Sequence, residues 1–427
     1  MTSKKQLKAR IRARMAKTGE SYTTARLHVA GRAEPVADGG WRLTGGRHPS
    51  TAAIAAVLAN QGAAVSEPLV FLAGGGIGAG YILWEFQHDQ SRHVVLGFRN
   101  QWQYHDRWMD KTLGRLGVPY EVHRTGGARA ASDRLAAELD AGRPCVVLPD
   151  RYHLGYWHLP ASLDGHGGHP VVAYRRDADG VFLDDRGGAP LRVPRERFDA
   201  ARARVGSYRN VLHVLGEAKP TEAALAAAAG EGLRDCAAHL SAASDSFSLP
   251  AWRKWGRLLV DTRNAKAWPK VFADRQGLAG ALLSVWEEVE PVGMDGGNLR
   301  DLFADALDEA ATLLSRPGLA ELAGRYREIH AMWHDLAEAA LPADVPLLAR
   351  IRELTAAVKE SVMAEGSAGE PAAALAAKEL WEARAAANEH FAAAADVDQF
   401  FAPLAVRVSA IYEAEREAIG RLAALTS

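Results

Sequence analysis

Apolar positions change their spacing along the chain of 427 residues, and the change marks two regions of different architecture. From about residue 45 to 216, segments of helical spacing alternate with short apolar runs typical of β-strands. The predicted helices come early and the strands late, which favours an α+β domain with antiparallel strands over a doubly wound parallel sheet. After residue 217 the sequence is alanine-rich with helical periodicity, and its Pro and Gly breaks predict six to eight helices.

The same pattern sets the predicted domain boundaries. We expect a basic helical arm at residues 1–35, an α+β domain at 36–216 and an all-α helical bundle at 217–427. The elements predicted in the α+β domain are helix 50–61, strand 92–98, helix 103–116, strand 119–123, helix 129–141, and strands 144–148, 169–175, 180–184 and 210–215.

The N-terminal arm combines positive charge with an apolar stripe. Residues 4–17 carry seven basic side chains, and Leu7, Ile11 and Met15 recur every four residues, as on one face of a helix. One interpretation is a helical hairpin that lies on the protein's own surface. The other is a docking arm for an acidic partner, such as a carrier protein or nucleic acid.

Charge and cysteine content narrow the class of protein. The formal net charge of −1 gives no general argument for binding nucleic acid or membranes, so neither is expected as a partner. Cys145 and Cys236 fall in apolar runs and are expected to be reduced and buried. The longest uncharged stretch, Pro68–Trp84, has about 17 residues and five glycines, too short and too glycine-rich for a membrane span. With a basic start and no apolar signal segment, a cytoplasmic protein is expected, and homo-oligomerisation is left open.

Three separated motifs place polar residues at the ends of predicted elements. In GRHPSTAAIAAVLANQG, a glycine turn leads into an apolar helix that begins near Pro49. About 120 residues further on, GHGGHPVVAY puts His169 at the start of a strand, and GVFLDD puts Asp184 at the end of the next. Papain-like enzymes have a similar layout, in which a thiol at a helix start faces a histidine oriented by Asn or Asp. Here a proline stands where that thiol would be.

Five motifs in this order resemble the family typified by butirosin biosynthesis protein H, whose N-terminal domain has a cysteine-peptidase-like fold. Besides the helix opening, they are SEPLVFLAGGGIGAGY, LGFR, VVLPDRYHLGYW and GHPVVAYRRD followed by VFLDD. The helical C-terminal half also resembles the region that often follows this domain. The resemblance implies that an acyl group passes from a carrier-protein thioester, through an acyl-cysteine, to an amine of a small natural product.

The resemblance also implies the site residues and partners. Pro49 takes the place of the cysteine, His169 that of the base and Asp184 that of its orienting residue. A natural-product intermediate and an acyl carrier protein are the implied partners. Proline is well tolerated in the first turn of a helix, so the fold is expected to survive the replacement while the nucleophile is lost.

Three kinds of chemistry remain open without the thiol. Ser50 or Thr51 could act as a hydroxyl nucleophile, although Ser50 is one residue beyond Pro49, which rotates its side chain by about 100° around the helix. Alternatively, His169, oriented by Asp184, acts as a general base without a covalent intermediate, in amide-forming acyl transfer, condensation or cyclisation. Backbone N–H groups at the helix start would then stabilise an oxyanion, and His48 would be a second polar group. In the third interpretation the site is catalytically dead and binds a substrate or a partner enzyme.

Four further residues are candidates for substrate binding. Asp150 and Tyr156 lie in a polar, aromatic stretch after a predicted strand, which either lines a pocket or packs on the helical region. Gly76 belongs to a glycine-rich loop that would let a substrate approach the backbone closely. Arg99 would bind an acidic substrate group or else backbone carbonyls. The loop is a poor match to a dinucleotide-binding turn, and no cofactor or metal is predicted.

Overall fold

A computed structural model gives the fold of residues 36–85, 91–393 and 398–426. A sheet-containing region comes first and an all-helical region follows, which confirms the predicted α+β and all-α classes. The predicted basic arm at 1–35 lies outside the described residues, and both of its interpretations stay open. None of the helices in the described part of the chain is long and apolar enough to cross a membrane.

The described residues of the first region form ten strands. They are β1 (Val36–Asp38), β2 (Trp41–Leu43), β3 (Tyr81–Glu85), β4 (Arg92–Leu96), β5 (Tyr120–Arg124), β6 (Cys145–Val147), β7 (Val171–Arg176), β8 (Gly180–Asp184), β9 (Leu191–Pro194) and β10 (Val211–Leu215).

Helices occur in both regions. Those of the first are α1 (Pro49–Asn60), α2 (Glu67–Ala73), α3 (His105–Leu116), α4 (Ala128–Asp140), α5 (Arg151–Leu154) and α6 (Arg195–Arg204). Those of the second are α7 (Glu222–Ser241), α8 (Pro250–Leu258), α9 (Trp268–Val271), α10 (Leu278–Val289), α11 (Arg300–Leu313), α12 (Gly318–Ala340), α13 (Pro346–Glu365), α14 (Glu370–Ala392) and α15 (Asp398–Thr426).

The main sheet has six strands in the order β5-β10-β6-β7-β8-β9, and every neighbouring pair is antiparallel. This confirms the antiparallel arrangement expected from the late strands. The sequence pattern missed β9 and α6, because β9 has only four residues and α6 is dominated by charged side chains. It also undercounted the helices after residue 217, where the described residues form nine, one of them a single turn.

Apolar side chains cover both faces of this sheet. On one face, Ile54 and Val57 of α1 share a core with Val146 and Val172 of the sheet. Core residues on the other face, such as Leu183, belong to a larger apolar core that continues through the helical region. Because the larger core is continuous across residue 216, the predicted domain boundary there stays a prediction.

A buried ion pair joins the helical region to the glycine-rich loop. Arg300 on α11 and Glu415 on α15 have no exposed side-chain surface, and Arg300 Nε donates to Glu415 Oε1 at 2.8 Å. Arg300 Nη2 also donates to the carbonyl oxygen of Gly78 at 3.0 Å. Gly76 packs on the same side, since a Cβ there would lie 2.8 Å from the ring of Phe303. The structure therefore gives Gly76 a packing role against the helical region, and its predicted role in substrate approach stays a prediction.

Gly76→Ala is expected to lower the free energy of unfolding by about 1–3 kcal/mol. Gly76 has a φ of +64°, which L-residues rarely adopt, and the added methyl group would also meet Phe303. Chemical denaturation measures the effect. The matched control is Gly114→Ala, which lies within α3 with open space around it and should stabilise by about 0.5–1 kcal/mol. Equal stabilities for the two variants would contradict the packing role.

Candidate active site

A cavity of about 200 Å³ lies at the N-terminal end of α1, between the sheet and the helical region. The helix start and the segment just before β7 meet here, since Pro49, Ser50 and His169 all line the cavity. The helical region closes the other side with Glu288 and Asp295. Neither cysteine of the chain lines the cavity, and both are buried elsewhere, so no thiol replaces the expected nucleophile.

Local hydrogen bonds fix the start of α1. Pro49 opens the helix, and His48 caps it, with Nδ1 accepting from the backbone N–H of Thr51 at 3.4 Å. The Glu67 carboxylate accepts from the backbone N–H of His48 at 2.9 Å and from the Thr51 hydroxyl at 2.9 Å. Pro49 itself has no N–H to lose, so the helix begins as firmly as it would with another residue.

His169 is held in one orientation. Its backbone N–H donates to the carbonyl of Pro149 at 2.8 Å, and its Nε2 lies 2.8 and 2.9 Å from the two carboxylate oxygens of Asp185. A carboxylate accepts, so Nε2 carries the proton and Nδ1 keeps its lone pair. Because the ring lines the cavity and Nε2 is engaged, Nδ1 is the nitrogen available to a bound molecule.

The charge states of His169 and Asp185 suit a general base and the carboxylate that orients it. Burial disfavours the ionised form of Asp185, but the charges of Arg186 and of His169, which is protonated in acid, lower the pKa of Asp185 to about 2, so Asp185 is an anion at neutral pH. Burial lowers the pKa of His169 below its ordinary value, and the attraction of Asp185 offsets this only in part. The ring is therefore neutral at neutral pH, with an unprotonated Nδ1.

The predicted role of Asp184 as the orienting residue is wrong. Asp184 Oδ2 instead accepts from Trp41 Nε1 at 3.0 Å, and Oδ1 accepts from the backbone N–H of Arg186 at 3.1 Å. Successive side chains of a strand point to opposite faces of the sheet, so only one of Asp184 and Asp185 can reach the face on which His169 lies. Burial raises the pKa of Asp184 to about 6.

Two of the sequence-predicted residues do not line the cavity but support its surroundings. Tyr156 is buried and its hydroxyl donates to Asp185 Oδ2 at 3.0 Å, so it positions the anchor of His169. Asp150 caps α5, accepting from the backbone N–H groups of His153 and Gly165 at 3.1 Å each. Both were proposed as substrate-binding residues, and the structure gives them positioning roles.

Ser50 and His48 do reach the cavity. Ser50 is buried, and no hydrogen bond in the described residues joins its hydroxyl to His169. The geometry that would activate a serine is therefore lacking. Burial and the nearby positive charges of Arg99 and Arg186 hold the pKa of His48 well below its ordinary value, so its ring is neutral.

Arg99 lines the cavity, and it also donates to a backbone carbonyl, as the second of its two predicted interpretations has it. Its Nη1 donates to the carbonyl of Asn100 at 3.0 Å, and its guanidinium stacks over the ring of Trp108 at 4.2 Å. Burial lowers its pKa to about 9. Sequence reasoning missed three other charged residues of the cavity: Arg151, which stands unremarked in the VVLPDRYHLGYW motif, and Glu288 and Asp295, which belong to no motif.

One group in the described residues has the composition of a metal site. Asp150, His153 and Asp164 bring ligand atoms within 4.8 Å of one another. Each already has protein partners, since Asp164 Oδ1 lies 3.0 Å from His153 Nε2 and accepts from Arg204 at 2.6 Å. These contacts account for the group without a metal ion.

Two family models match adjoining parts of the chain. The first, described as butirosin biosynthesis protein H, N-terminal, matches residues 48–186. Residues 48–186 are therefore similar to that family. The second, a domain of unknown function numbered DUF4872, matches residues 197–370. No curated protein matches the chain at a significant level.

The butirosin H-type match confirms the resemblance read from the five motifs and implies a biosynthetic acyltransferase-like domain. Its limits enclose the helix start, His169 and Asp185. Glu288 and Asp295 fall within the second match, so the cavity draws residues from both matched segments.

Proposed function

We propose that this protein transfers an acyl group from a thioester to an amine without a covalent enzyme intermediate, with His169 as the general base. The observation that carries the proposal is the orientation of His169. Its Nε2 is bound to Asp185, while the ring lines the cavity beside the first turn of α1. The acyl donor would be a carrier-protein thioester, as in the family the domain resembles.

The proposed reaction needs one proton acceptor and one oxyanion site. The amine nitrogen attacks the thioester carbonyl, and His169 Nδ1 takes the proton that the nitrogen releases. The carbonyl oxygen becomes an oxyanion near the Ser50 N–H, which has no intrahelical partner in the first turn. The C–S bond then breaks, and the thiolate takes the proton from the imidazolium of His169. The products are an amide and a thiol.

The loss of the thiol is compatible with this reaction. A thioester is already activated, so aminolysis depends chiefly on holding amine and carbonyl together. A positioned general base adds about 10²- to 10⁴-fold to the rate. With Pro49 in the position of the cysteine, no acyl-cysteine can form there. The base His169, the carboxylate of Asp185 that orients it and the start of α1 all remain in place.

The test uses short acyl thioesters of N-acetylcysteamine with a panel of primary amines. We expect amide formation above the uncatalysed rate, no acylated protein in intact-protein mass spectra, and retained activity in Ser50→Ala. An acyl adduct that disappears in Ser50→Ala would overturn the non-covalent mechanism and support a hydroxyl nucleophile.

A binding protein is the second candidate function, favoured by Pro49 and by the missing hydrogen bond between Ser50 and His169. It predicts that amines or thioesters bind in the cavity, with wild-type protein and His169→Gln showing the same amide formation as buffer. That result would reject the enzyme at this site.

Tyr156→Phe is expected to lower the rate of amide formation about tenfold. The substitution removes one hydrogen bond from Asp185 and so loosens the anchor of His169, without touching the cavity. The effect should fall on kcat rather than on KM. Tyr152→Phe is the control, because Tyr152 lies on α5, just before Tyr156 in the chain, but makes no hydrogen bond to Asp185 in the described residues. Equal rates for both variants would show that the Tyr156 hydroxyl has no positioning role.

A further inference from the structure

Charged side chains of both signs line the cavity, and each sign comes from one region of the protein. Arg99 and Arg151 belong to the sheet-containing region, while Glu288 and Asp295 belong to the helical region. In the described residues no ion pair joins either arginine to either carboxylate. The cavity therefore has a positive side and a negative side that do not neutralise each other by direct contact.

The positive side has unused hydrogen-bond donors. Arg99 is 5% exposed, and its Nε has no hydrogen-bond partner in the described residues. Arg151 likewise makes no ion pair within the part of the chain that the structure describes, although its charge acts on His169 and Glu288. A guanidinium prefers a planar, two-oxygen partner, and a carboxylate supplies one.

The carboxylates of the negative side lie at the end of α10 and in the loop that follows. Glu288 is partly buried, whereas Asp295 is exposed and stands in the segment between α10 and α11. Lys359 on α13 holds this segment, donating to the carbonyl oxygens of Pro291 and, at 2.9 Å, Gly293. Burial and the neighbouring charge of Asp295 raise the pKa of Glu288 well above its ordinary value, and a cation bound beside it would counteract that shift.

We infer that the cavity binds a small zwitterion, an amino-acid-like molecule whose carboxylate contacts Arg99 and Arg151 and whose ammonium contacts Glu288 and Asp295. The charges of Arg99 and Arg151 are buried or partly buried, and such charges are costly unless they are paired. A ligand with both charges pairs them and also favours the ionised form of Glu288. A ligand with one charge satisfies one side only. The volume of about 200 Å³ is below that of ordinary drug-sized sites, which restricts the ligand to a small molecule.

This inference concerns recognition alone and does not depend on the chemistry at His169. Isothermal titration calorimetry on the full-length protein tests it with ω-amino acids from glycine to 6-aminohexanoate. The matched ligands are the n-alkylamines and n-alkanoates of the same lengths. We expect at least one amino acid to bind about tenfold or more tightly than both of its singly charged counterparts.

Variants assign the two ends of the ligand. In Arg151→Gln the amino acid should bind no more tightly than the alkylamine of the same length. In Glu288→Gln it should bind no more tightly than the alkanoate. Arg350→Gln and Glu379→Gln are the controls, since these residues form an exposed ion pair between α13 and α14 and should leave affinity unchanged. The inference is overturned if no amino acid binds, if singly charged ligands bind equally well, or if Arg151→Gln and Glu288→Gln behave like the controls.

Discussion

His169→Gln is expected to lower the rate of amide formation about 10²- to 10⁴-fold while the protein stays folded. Glutamine can still donate from its amide nitrogen to Asp185, so the buried carboxylate keeps a partner. It lacks a nitrogen lone pair that can take up a proton, so the general base is lost. The rate is measured with the thioester and amine pair that the wild-type protein uses best.

Two controls separate loss of the base from loss of the fold. His390→Gln changes an exposed histidine on α14 and should leave the rate unchanged. Thermal unfolding of His169→Gln should stay close to that of the wild-type protein. A wild-type rate in His169→Gln would remove His169 from the mechanism, whatever the function of the cavity.

The pH profile gives an independent test of the same base. Burial lowers the pKa of His169 from its ordinary value of 6.5, so Nδ1 stays unprotonated in mildly acidic solution. A base works in its unprotonated form, so the rate should fall as the pH drops through the pKa of the folded protein, which lies below 6.5. Once the rate is corrected for the protonation of the amine substrate itself, a decline that begins above this value would contradict the assignment.

Glu415→Ala is expected to lower the free energy of unfolding by about 3–5 kcal/mol. Neither Glu415 nor Arg300 has any exposed side-chain surface. The Glu415 carboxylate accepts from Arg300 Nη2 at 2.9 Å and from Trp333 Nε1 at 2.9 Å, so its removal leaves a buried guanidinium without its counter-charge. Urea denaturation monitored by circular dichroism measures the change.

An exposed ion pair on the same helix provides the comparison. Glu413 accepts from Arg416 at 2.6 Å, and both side chains are more than half exposed. Glu413→Ala should cost about 0–1 kcal/mol, as is usual for surface pairs. If Glu415→Ala cost no more than Glu413→Ala, the buried pair would not hold the helical region together.

The sequence predicted most elements of the first region, because its strands and helices follow clear apolar periodicities. The predicted strand 180–184 coincides with β8, and the helix predicted at 50–61 corresponds to α1. The sequence did not show which of the two adjacent aspartates contacts His169. The motif GVFLDD holds both Asp184 and Asp185, and only the alternation of side chains about β8 decides which one meets His169.

The acidic side of the cavity could not be predicted from local pattern. Glu288 follows His169 by more than a hundred residues and belongs to an ordinary helix end. Its place in the cavity results from the packing of α10 against β4, a contact between the two regions. The packing role of Gly76 likewise depends on a contact between the two regions, because its neighbour Phe303 belongs to α11.

The composite cavity has an evolutionary consequence. Exchange of gene segments at a point between residues 186 and 288 would separate the imidazole and the arginines from the acids that face them. A hybrid of two relatives joined there would fold only if the core side chains from the two parents packed together. It would keep its ligand preference only if both parents bound the same ligand. We therefore expect the two segments to be inherited together, as a single unit of selection.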